Sequence, residues 1–408
     1  MNPAGAGVPP EAPPGPGWRA ILGSVAAVLL CCFAFQLAQG VLSPVITVQL
    51  VGHQTATGLI GIVSSIYFVG FIAGTLHSQR VIDRVGHIRA LGVFAVVAAD
   101  AALLFALFDP PWTWLLWRAA LGYALAGIFV VVESWLNDKA ATSTRGTVFG
   151  LYQVVSWGTG IVAPLGMNLA DPMGPVLLIV AAIAFATALV PVALTRVGNP
   201  EVGQRSRFGL RRLIAISPLG VATCFASGLV NSAFFGLMPV YTDAVGIGTE
   251  NLSLILAVAT IAGTVMAVPV GMLADRFGRR PVLLAGLAIA GAASVAALRM
   301  DTGGLVVMAI VAFVFTLGAG QAYTLGVAQT NDYVTGRDFV AASGGLLCAW
   351  AVGASIGAAI GAQAMTLAGA DGLFFYELII LVALGLFTVY RMIRRPGRPG
   401  AAGPKGAA

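Results

Sequence analysis

Two short charged turns, 192 residues apart, combine an acid, one or more arginines and a glycine. The second turn holds Asp275, Arg276, Gly278, Arg279 and Arg280, and the first holds Asp83, Arg84 and Gly86. Opposite charges on neighbouring helices can form ion pairs worth on the order of a few kcal/mol, enough to bias an equilibrium between two conformations. Glycine at such a turn permits positive φ and close helix approach. We therefore predict an inner gate here, with Asp332 or Asp338 as partners of the second turn and Glu133 as the partner of Arg84 in the first.

Two ionisable residues, Arg118 and Asp100, fall inside long apolar runs. Such groups are costly in a membrane and are functional candidates by default. Arg118 follows Trp112 by six residues, which places it about 9 Å below the interface at 1.5 Å per residue. Asp100 reaches a similar depth on the neighbouring run. Two interpretations stay open: the two residues pair and tie their helices together, or Arg118 faces a cavity, where it holds an anion or steers a proton.

Amide and aromatic side chains supply further cavity candidates. Gln36 and Gln39 are three residues apart and share a helix face, and Asn231 stands 195 residues after Gln36. Amides within lipid need partners, either between helices or in a wet cavity. We predict that they contact substrate, together with a pocket formed by Tyr123, Gln153, Gln321 and Tyr323.

Motifs for enzymatic chemistry are missing from the sequence. It has no G-x-x-x-x-G-K-[ST] phosphate loop, no H-E-x-x-H pair and no recognisable Ser/His/Asp set. The cysteines lie in apolar runs without metal-ligand spacing, at Cys31, Cys32, Cys224 and Cys348. We predict a protein that is not an enzyme, with no catalytic residues, no cofactor and no metal.

The composition points to lipid as the main solvent. Charged residues make up 9% of the 408 residues and hydrophobic ones 58%, whereas a soluble domain carries roughly 25% charged residues. The net charge of +6 could indicate nucleic acid, but the basic residues punctuate apolar runs and form no patch beside stacking aromatics. We therefore expect a bilayer partner and no nucleic acid.

Twelve apolar runs are each long enough to cross a bilayer, which takes about 20 residues in a helix. The predicted fold class is an all-α polytopic membrane protein. Lys and Arg accumulate in cytoplasmic loops, and placing both termini inside puts 20 of the 22 basic residues on that side, leaving Arg118 and Arg299. We expect a multi-pass protein of the plasma (inner) membrane with both termini cytoplasmic.

Landmarks recur at an interval of 192 to 195 residues. Asp83 corresponds to Asp275, Asn137-Asp138 to Asn331-Asp332, and Pro44 to Pro239. This predicts two six-helix bundles in a 6+6 repeat, with a substrate site between them near the midplane. The predicted divisions are a disordered tail over 1–17, an N-terminal bundle over 18–195, a cytoplasmic linker over 196–213, a C-terminal bundle over 214–394 and a disordered tail over 395–408.

The second charged turn resembles a family motif. The loop between the second and third helices of each half in the major facilitator superfamily reads G-x-L-a-D-R-x-G-R-R/K, and residues 271–280 match it. Within that superfamily, segments 124–137, 145–158 and 327–332 resemble the YcaD-like branch of exporters. The first turn departs from the motif, because Gln79 replaces its leading glycine. Leu121 also replaces the glutamine of the R-x-x-Q-G motif of proton-coupled exporters.

The resemblance implies the major facilitator fold and a transport function. We expect a monomeric secondary active transporter that moves a small-molecule substrate by alternating access, with a proton as the coupling ion and export as the direction. Two alternatives stay open: a membrane-embedded receptor or sensor that keeps the fold without net transport, and an uptake facilitator without coupling.

Overall fold

The computed structural model describes residues 18–108, 110–139, 145–194, 210–300, 302–334 and 339–394. These residues form α-helices joined by short turns, with one 3₁₀ turn at Gly166–Leu169. The α-helices are α1 (Trp18–Gly52), α2 (Thr57–Val85), α3 (His87–Leu107), α4 (Trp114–Lys139), α5 (Arg145–Leu165), α6 (Val176–Ala188), α7 (Val190–Ala193), α8 (Leu210–Ile216), α9 (Pro218–Ala244), α10 (Thr249–Phe277), α11 (Arg279–Arg299), α12 (Leu305–Ala319), α13 (Ala322–Asn331), α14 (Phe339–Ala368) and α15 (Gly372–Arg394).

Twelve membrane spans arise from these helices, as predicted. Helices α6 and α7 together form the sixth span, and α12 and α13 together form the tenth. The break before α7 coincides with Pro191, whose ring removes a backbone donor. By contrast, Pro44 and Pro239 lie inside the continuous helices α1 and α9, which is common in membranes because neighbouring helices satisfy the freed carbonyls.

Each half forms a six-span bundle. In the first half, α2 and α3 pack on α4, and α1 packs on α5 and α6. In the second half, α9 packs on α13, α14 and α15, and α12 packs on α10 and α11. The predicted two-bundle architecture is therefore confirmed. The predicted tails and most of the predicted linker lie outside the described residues, and α8 begins within the linker range at Leu210.

Glycines let the helices within a bundle touch at the backbone. A Cβ on Gly70 of α2 would lie 2.0 Å from the carbonyl oxygen of Ala119 on α4, and one on Gly228 of α9 would lie 2.0 Å from that of Trp350 on α14. Small residues of this kind replace the hydrophobic effect as the organising force between helices in lipid. We call the end at which α1 begins and α15 ends the terminal face, and the opposite end the far face.

Candidate functional site

The second charged turn joins α10 and α11 at the terminal face. Arg279 pairs with Asp275 one turn earlier, and its Nε lies 3.6 Å from Oδ2 of Asp332 at the end of α13. The next residue, Arg280, is 8% exposed and donates from Nη2 to the Tyr333 hydroxyl at 3.1 Å. The structure thus brings the predicted acid Asp332 to the turn. Asp338, the other predicted partner, lies outside the described residues.

Glycine shapes the turns at both copies. Gly278 has φ +92° and ψ 153°, and Gly86 has φ +82° and ψ 168°. This backbone region is essentially restricted to glycine, and another residue held there costs on the order of 1–3 kcal/mol. The sequence repeat therefore corresponds to two turns of the same conformation.

We expect Gly278→Ala to destabilise the protein by roughly 1–3 kcal/mol for this reason. The measurement is the thermal unfolding midpoint in detergent. Gly271→Ala is the matched control, because a Cβ at Gly271 meets nothing within 4 Å and alanine favours a helix. Equal midpoints for the two variants would contradict the backbone argument.

The first charged turn is held by different contacts. Gln79, which replaces the leading glycine, donates from Nε2 to Oδ1 of Asp83 at 2.8 Å. His87 stands four residues after Asp83, where the second copy has Arg279, and its Nε2 lies 3.1 Å from the Ser134 hydroxyl of α4. His87 is buried. The type of residue alone does not identify this helix contact, whereas the place of His87 in the repeat, matching Arg279, does.

The contacts of Arg279 join helices of one half only. They hold the end of α13 to α10 and α11, whereas Arg276 is exposed with its guanidinium 5.3 Å from the Phe277 ring. Arg84 is also exposed. A gate at these turns would therefore act by fixing helices within each half. The gate role, and the pairing of Arg84 with Glu133, stay predictions.

Arg118 is buried among α1, α2 and α4. It is 4% exposed, donates from Nη2 to the Ser43 hydroxyl at 2.7 Å, and has its guanidinium carbon 4.9 Å from the centre of the Tyr67 ring. Its Nε and Nη1 have no hydrogen-bond partner among the described residues. Arg118 is thus a cation that the fold satisfies incompletely.

Asp100 does not pair with Arg118 in the described structure. It is exposed on α3, on the same face as the exposed apolar residues Val93, Val96, Leu103 and Leu107. That face points away from the helices that surround Arg118. Of the two interpretations left open, the Arg118–Asp100 pair is therefore wrong, and the exposed placement of Asp100 gives no support to it as a cavity candidate. The sequence could locate both residues by depth but not by helix face.

A polar cluster lies where α1 meets α5. The Gln36 amide donates to the Ser156 hydroxyl at 3.0 Å and contacts Sγ of Cys32 at 2.7 Å. Gln39 is half-buried, and its Oε1 has no hydrogen-bond partner among the described residues. The two amides on this face of α1 therefore have only part of their hydrogen-bonding groups paired within the described residues.

Glu133 of α4 lies within electrostatic range of this cluster and of Tyr323 in the second half. Its side chain is exposed, and its carboxylate is near enough to Cys32, Tyr152 and Tyr323 to act on them electrostatically. These three groups come from α1, α5 and α13. We call the set Cys32, Gln36, Glu133, Tyr152, Ser156 and Tyr323 the central cluster.

A row of aromatic rings extends from Tyr323 of the central cluster through the second half to a ring of the first half. Tyr323 lies edge-on to Trp350 with ring centres 6.3 Å apart, and Trp350 lies edge-on to Phe68 of α2 at 5.5 Å. Phe68 belongs to the first half, so this row of rings spans both bundles. Tyr323, a predicted pocket residue, is therefore placed beside Trp350 and within electrostatic range of Glu133.

The other predicted cavity residues have separate settings. Tyr123 contacts Nδ1 of His77 through its hydroxyl at 2.6 Å. Gln321, at the break before α13, donates to the carbonyl oxygen of Gly263 on α10 at 2.6 Å, so its amide serves the fold. Gln153 is exposed and Asn231 is half-buried. Substrate contact by these four residues stays a prediction.

The halves also meet between the central cluster and the far face. Ser65 of α2 accepts a hydrogen bond from the backbone N–H of Ala359 on α14 at 3.0 Å. Asn168, in the 3₁₀ turn after α5, donates to the Ser253 hydroxyl of α10 at 2.7 Å. A Cβ on Gly61 would lie 2.3 Å from that of Ala362. This interface could not be predicted from the sequence, because small residues in apolar runs give no distinctive pattern.

A separate apolar crevice lies between α9, α14 and α15. It holds about 570 Å³ and is lined by residues such as Leu229, Ile356, Ile360, Phe375 and Ile379. Its walls offer almost no polar surface to orient a solute. The central cluster is therefore the better candidate site for a substrate with polar groups.

Twelve spans in two bundles, with a polar cluster between them, define a transporter-type membrane protein. The chain belongs to the Major Facilitator Superfamily, which it matches over residues 28–266 and again over 221–407. Transport across a membrane is the activity of this family. The predicted superfamily and its fold are confirmed.

Relatives at 29% identity agree with the predicted branch. They are described as the uncharacterized MFS-type transporter YcaD. In Escherichia fergusonii the similarity extends over 366 residues, 89% of this chain and 94% of the relative. In Escherichia coli K12 it extends over 364 residues, 88% and 93%. The chain is therefore YcaD-like along nearly its whole length.

Solved structures share the fold at low sequence identity. A mutant of the nucleoside transporter NupG superposes with a TM-score of 0.76 at 13% identity, covering 90% of this chain and 99% of that one. A bacterial homologue of the human lysosomal transporter Spinster, inward-facing and unoccupied, gives 0.73 at 15% identity, covering 94% and 100%. At these identities the similarity concerns the fold alone.

Proposed function

We propose that the chain is a secondary active transporter that exports a small molecule by alternating access, coupled to protons, with its terminal face in the cytoplasm. The observation that carries the proposal is the position of the contacts between the halves. Three of these contacts, Ser65–Ala359, Asn168–Ser253 and Gly61–Ala362, lie on the far-face side of the central cluster, whereas Phe68 and Trp350 meet at the level of the cluster. Such an arrangement blocks the route from the central cluster to the far face.

The orientation is supported by the distribution of charge. The basic side chains Arg84, Arg276 and Arg394 occur at helix ends on the terminal face, and basic residues accumulate on the cytoplasmic side of membrane proteins. With this orientation the conformation is closed to the outside. A substrate in the cytoplasm could then reach the cluster in this conformation, and the direction of export is taken from the resemblance to exporters.

Proton coupling is supported by Glu133. It lies six residues before the end of α4, about 9 Å from that end at 1.5 Å per residue. A carboxylate at this depth, among groups of three other helices, can change its charge by taking up a proton. Such a change would alter the energy of the central cluster and so bias the two conformations.

The test measures the distance between α2 and α14 near each of the two faces. Spin-label pairs at Ala56→Cys with Ala368→Cys and at Arg80→Cys with Gly344→Cys join α2 to α14 near the far and terminal faces, using residues that are exposed. A Cys348→Ser background is suitable, because the other three cysteines are buried. We expect the two distances to change in opposite directions between pH 8 and pH 5.5 in lipid nanodiscs.

Other outcomes would separate the alternatives. Distances that alternate but ignore pH would exclude proton coupling and favour the uptake facilitator. A fixed far-face distance under every condition would contradict alternating access. A sensor would alternate without moving solute, so reconstituted vesicles would retain every solute of a broad panel.

A further inference from the structure

We propose that the apolar crevice between α9, α14 and α15 binds one acyl chain of a phospholipid from the far-face leaflet, with the headgroup amine of that lipid at Asp371. This lipid site is separate from the central cluster. It goes beyond the proposed transport function and does not depend on it, because its test measures binding alone.

The crevice is formed by three helices that are fixed against each other at residues that line it. A Cβ on Gly357 of α14 would clash with the carbonyl oxygen of Leu229 on α9, so these two helices touch at the backbone. The buried Tyr376 hydroxyl of α15 donates to the same carbonyl oxygen at 3.4 Å. Because Leu229 and Tyr376 both line the crevice, its base is held by backbone contact and by a buried hydrogen bond.

The crevice opens sideways into the hydrocarbon layer. Among its lining residues, Leu367 is 87% exposed, Ile379 66% and Phe375 48%. All three belong to membrane spans, so their exposed surface faces lipid and not water. An empty space beside them would forfeit dispersion contacts on one side. An apolar group from within the bilayer therefore fills it.

The dimensions of the crevice fit a single extended chain. Its lining on α14 runs from Ile356 to Ala368, about 18 Å at 1.5 Å per residue, and Ala368 ends this helix at the far face. That length matches one leaflet, which is half of a hydrocarbon core about 30 Å thick. Spread over this length, the volume of about 570 Å³ gives a mean cross-section of about 30 Å², less than half that of a helix about 10 Å wide. The crevice therefore suits an acyl chain and is too small for a partner helix.

The far-face end of the crevice carries a negative charge. Asp371 is exposed and directly precedes Gly372, which lines the crevice where α15 begins. The far-face cation Arg299 ends α11, and α11 meets another side of α15, where a Cβ on Gly291 would lie 3.7 Å from Leu378. The Asp371 carboxylate attracts a headgroup that carries an amine and repels an anionic headgroup that lacks one.

Two lipids with identical chains and different headgroups test the charge. Dioleoyl phosphatidylethanolamine and dioleoyl phosphatidylglycerol are titrated separately into the purified full chain in detergent, and bound lipid is counted by native mass spectrometry. We expect phosphatidylethanolamine to bind about fivefold more tightly, as one exposed charge pair allows, and Asp371→Asn to remove this preference. Glu250→Gln is the matched control, because it removes another exposed far-face carboxylate, at the start of α10. Equal binding of the two lipids, or an unchanged preference in Asp371→Asn, would overturn the proposal.

Filling the crevice tests the acyl chain. Ile360, a lining residue of α14, is 48% exposed, so the larger side chain of Ile360→Trp has room to occupy the space of the lipid chain. We expect this variant to bind phosphatidylethanolamine about tenfold more weakly, through lost chain contacts. Ile310→Trp is the matched control, because Ile310 is 58% exposed on α12, outside the crevice, and it should bind as the unmodified chain does.

The unfolding midpoints of both tryptophan variants without added lipid should equal that of the unmodified chain. Should Ile360→Trp fail to fold, Ile379→Trp fills the same crevice from α15. Lipid counts that are equal in the crevice variant, the control variant and the unmodified chain would show only non-specific lipid around the spans and would overturn the proposal.

Discussion

Gly61→Leu is expected to prevent closure at the far face and to lock the protein in the opposite conformation. A Cβ at this position would lie 2.3 Å from the Cβ of Ala362 and 2.7 Å from the carbonyl oxygen of Ala358, so α2 and α14 could not keep their present contact. Overpacking of this kind costs roughly 1–3 kcal/mol, which shifts a two-state equilibrium about 5- to 150-fold. The far-face spin-label distance should lengthen and lose its response to pH.

Leucine substitutions at two other glycines distinguish this conformational effect from a general folding defect. Gly70→Leu introduces a comparable clash, 2.0 Å from the Ala119 carbonyl oxygen, but between helices of one bundle. We expect it to reduce folded yield, whereas Gly61→Leu should fold normally. Gly385→Leu is the neutral control, because a Cβ there meets nothing within 4 Å. A far-face distance in Gly61→Leu like that of the wild type would refute the closure argument.

Arg118→Met is expected to abolish the conformational response to pH while leaving stability equal or higher. The guanidinium is buried with Nε and Nη1 lacking hydrogen-bond partners among the described residues. Replacing buried ionic groups by apolar ones of similar volume is often neutral or stabilising by about 1–4 kcal/mol. A buried cation within a membrane span, incompletely satisfied by the fold, is a candidate for function. The thermal unfolding midpoint in detergent and the spin-label distances measure the two effects.

Ser43→Ala is expected to lower the stability of the protein, in contrast to Arg118→Met. It removes the acceptor, 2.7 Å from Nη2, and leaves the buried cation with a further unpaired donor, at a cost of roughly 1–3 kcal/mol. The unfolding midpoint should therefore fall in Ser43→Ala and not in Arg118→Met. A large fall in Arg118→Met would show that the arginine ties α1 to α4 and would remove the basis for a coupling role.

Much of the structure of the two charged turns could be predicted from the sequence. The glycines of the two turns, Gly86 and Gly278, were located by their place in the repeat, and both adopt positive φ. The contact of Arg279 with Asp332 was also within reach, because both residues follow membrane helices that end at the same face. Local conformation and helix ends are properties that a sequence pattern reports directly.

Contacts that depend on helix rotation could not be predicted. Arg118 and Asp100 have similar depths, yet one faces Ser43 and the other faces outward with Val96 and Leu103. Hydropathy has little power to orient a helix that is apolar on every side.

The sequence by itself determined the number of spans, their duplication, the superfamily and the glycine turns, because these depend on the length of apolar runs and on local backbone preference. Only the tertiary structure decided which groups share the central space, where Gln36 bonds Ser156 and Tyr323 packs on Trp350. It also decided where the halves touch, at Gly61 and Ala362. The physical reason is that pairwise contact between helices depends on their rotation and relative height, and in lipid those are set by close packing of small residues.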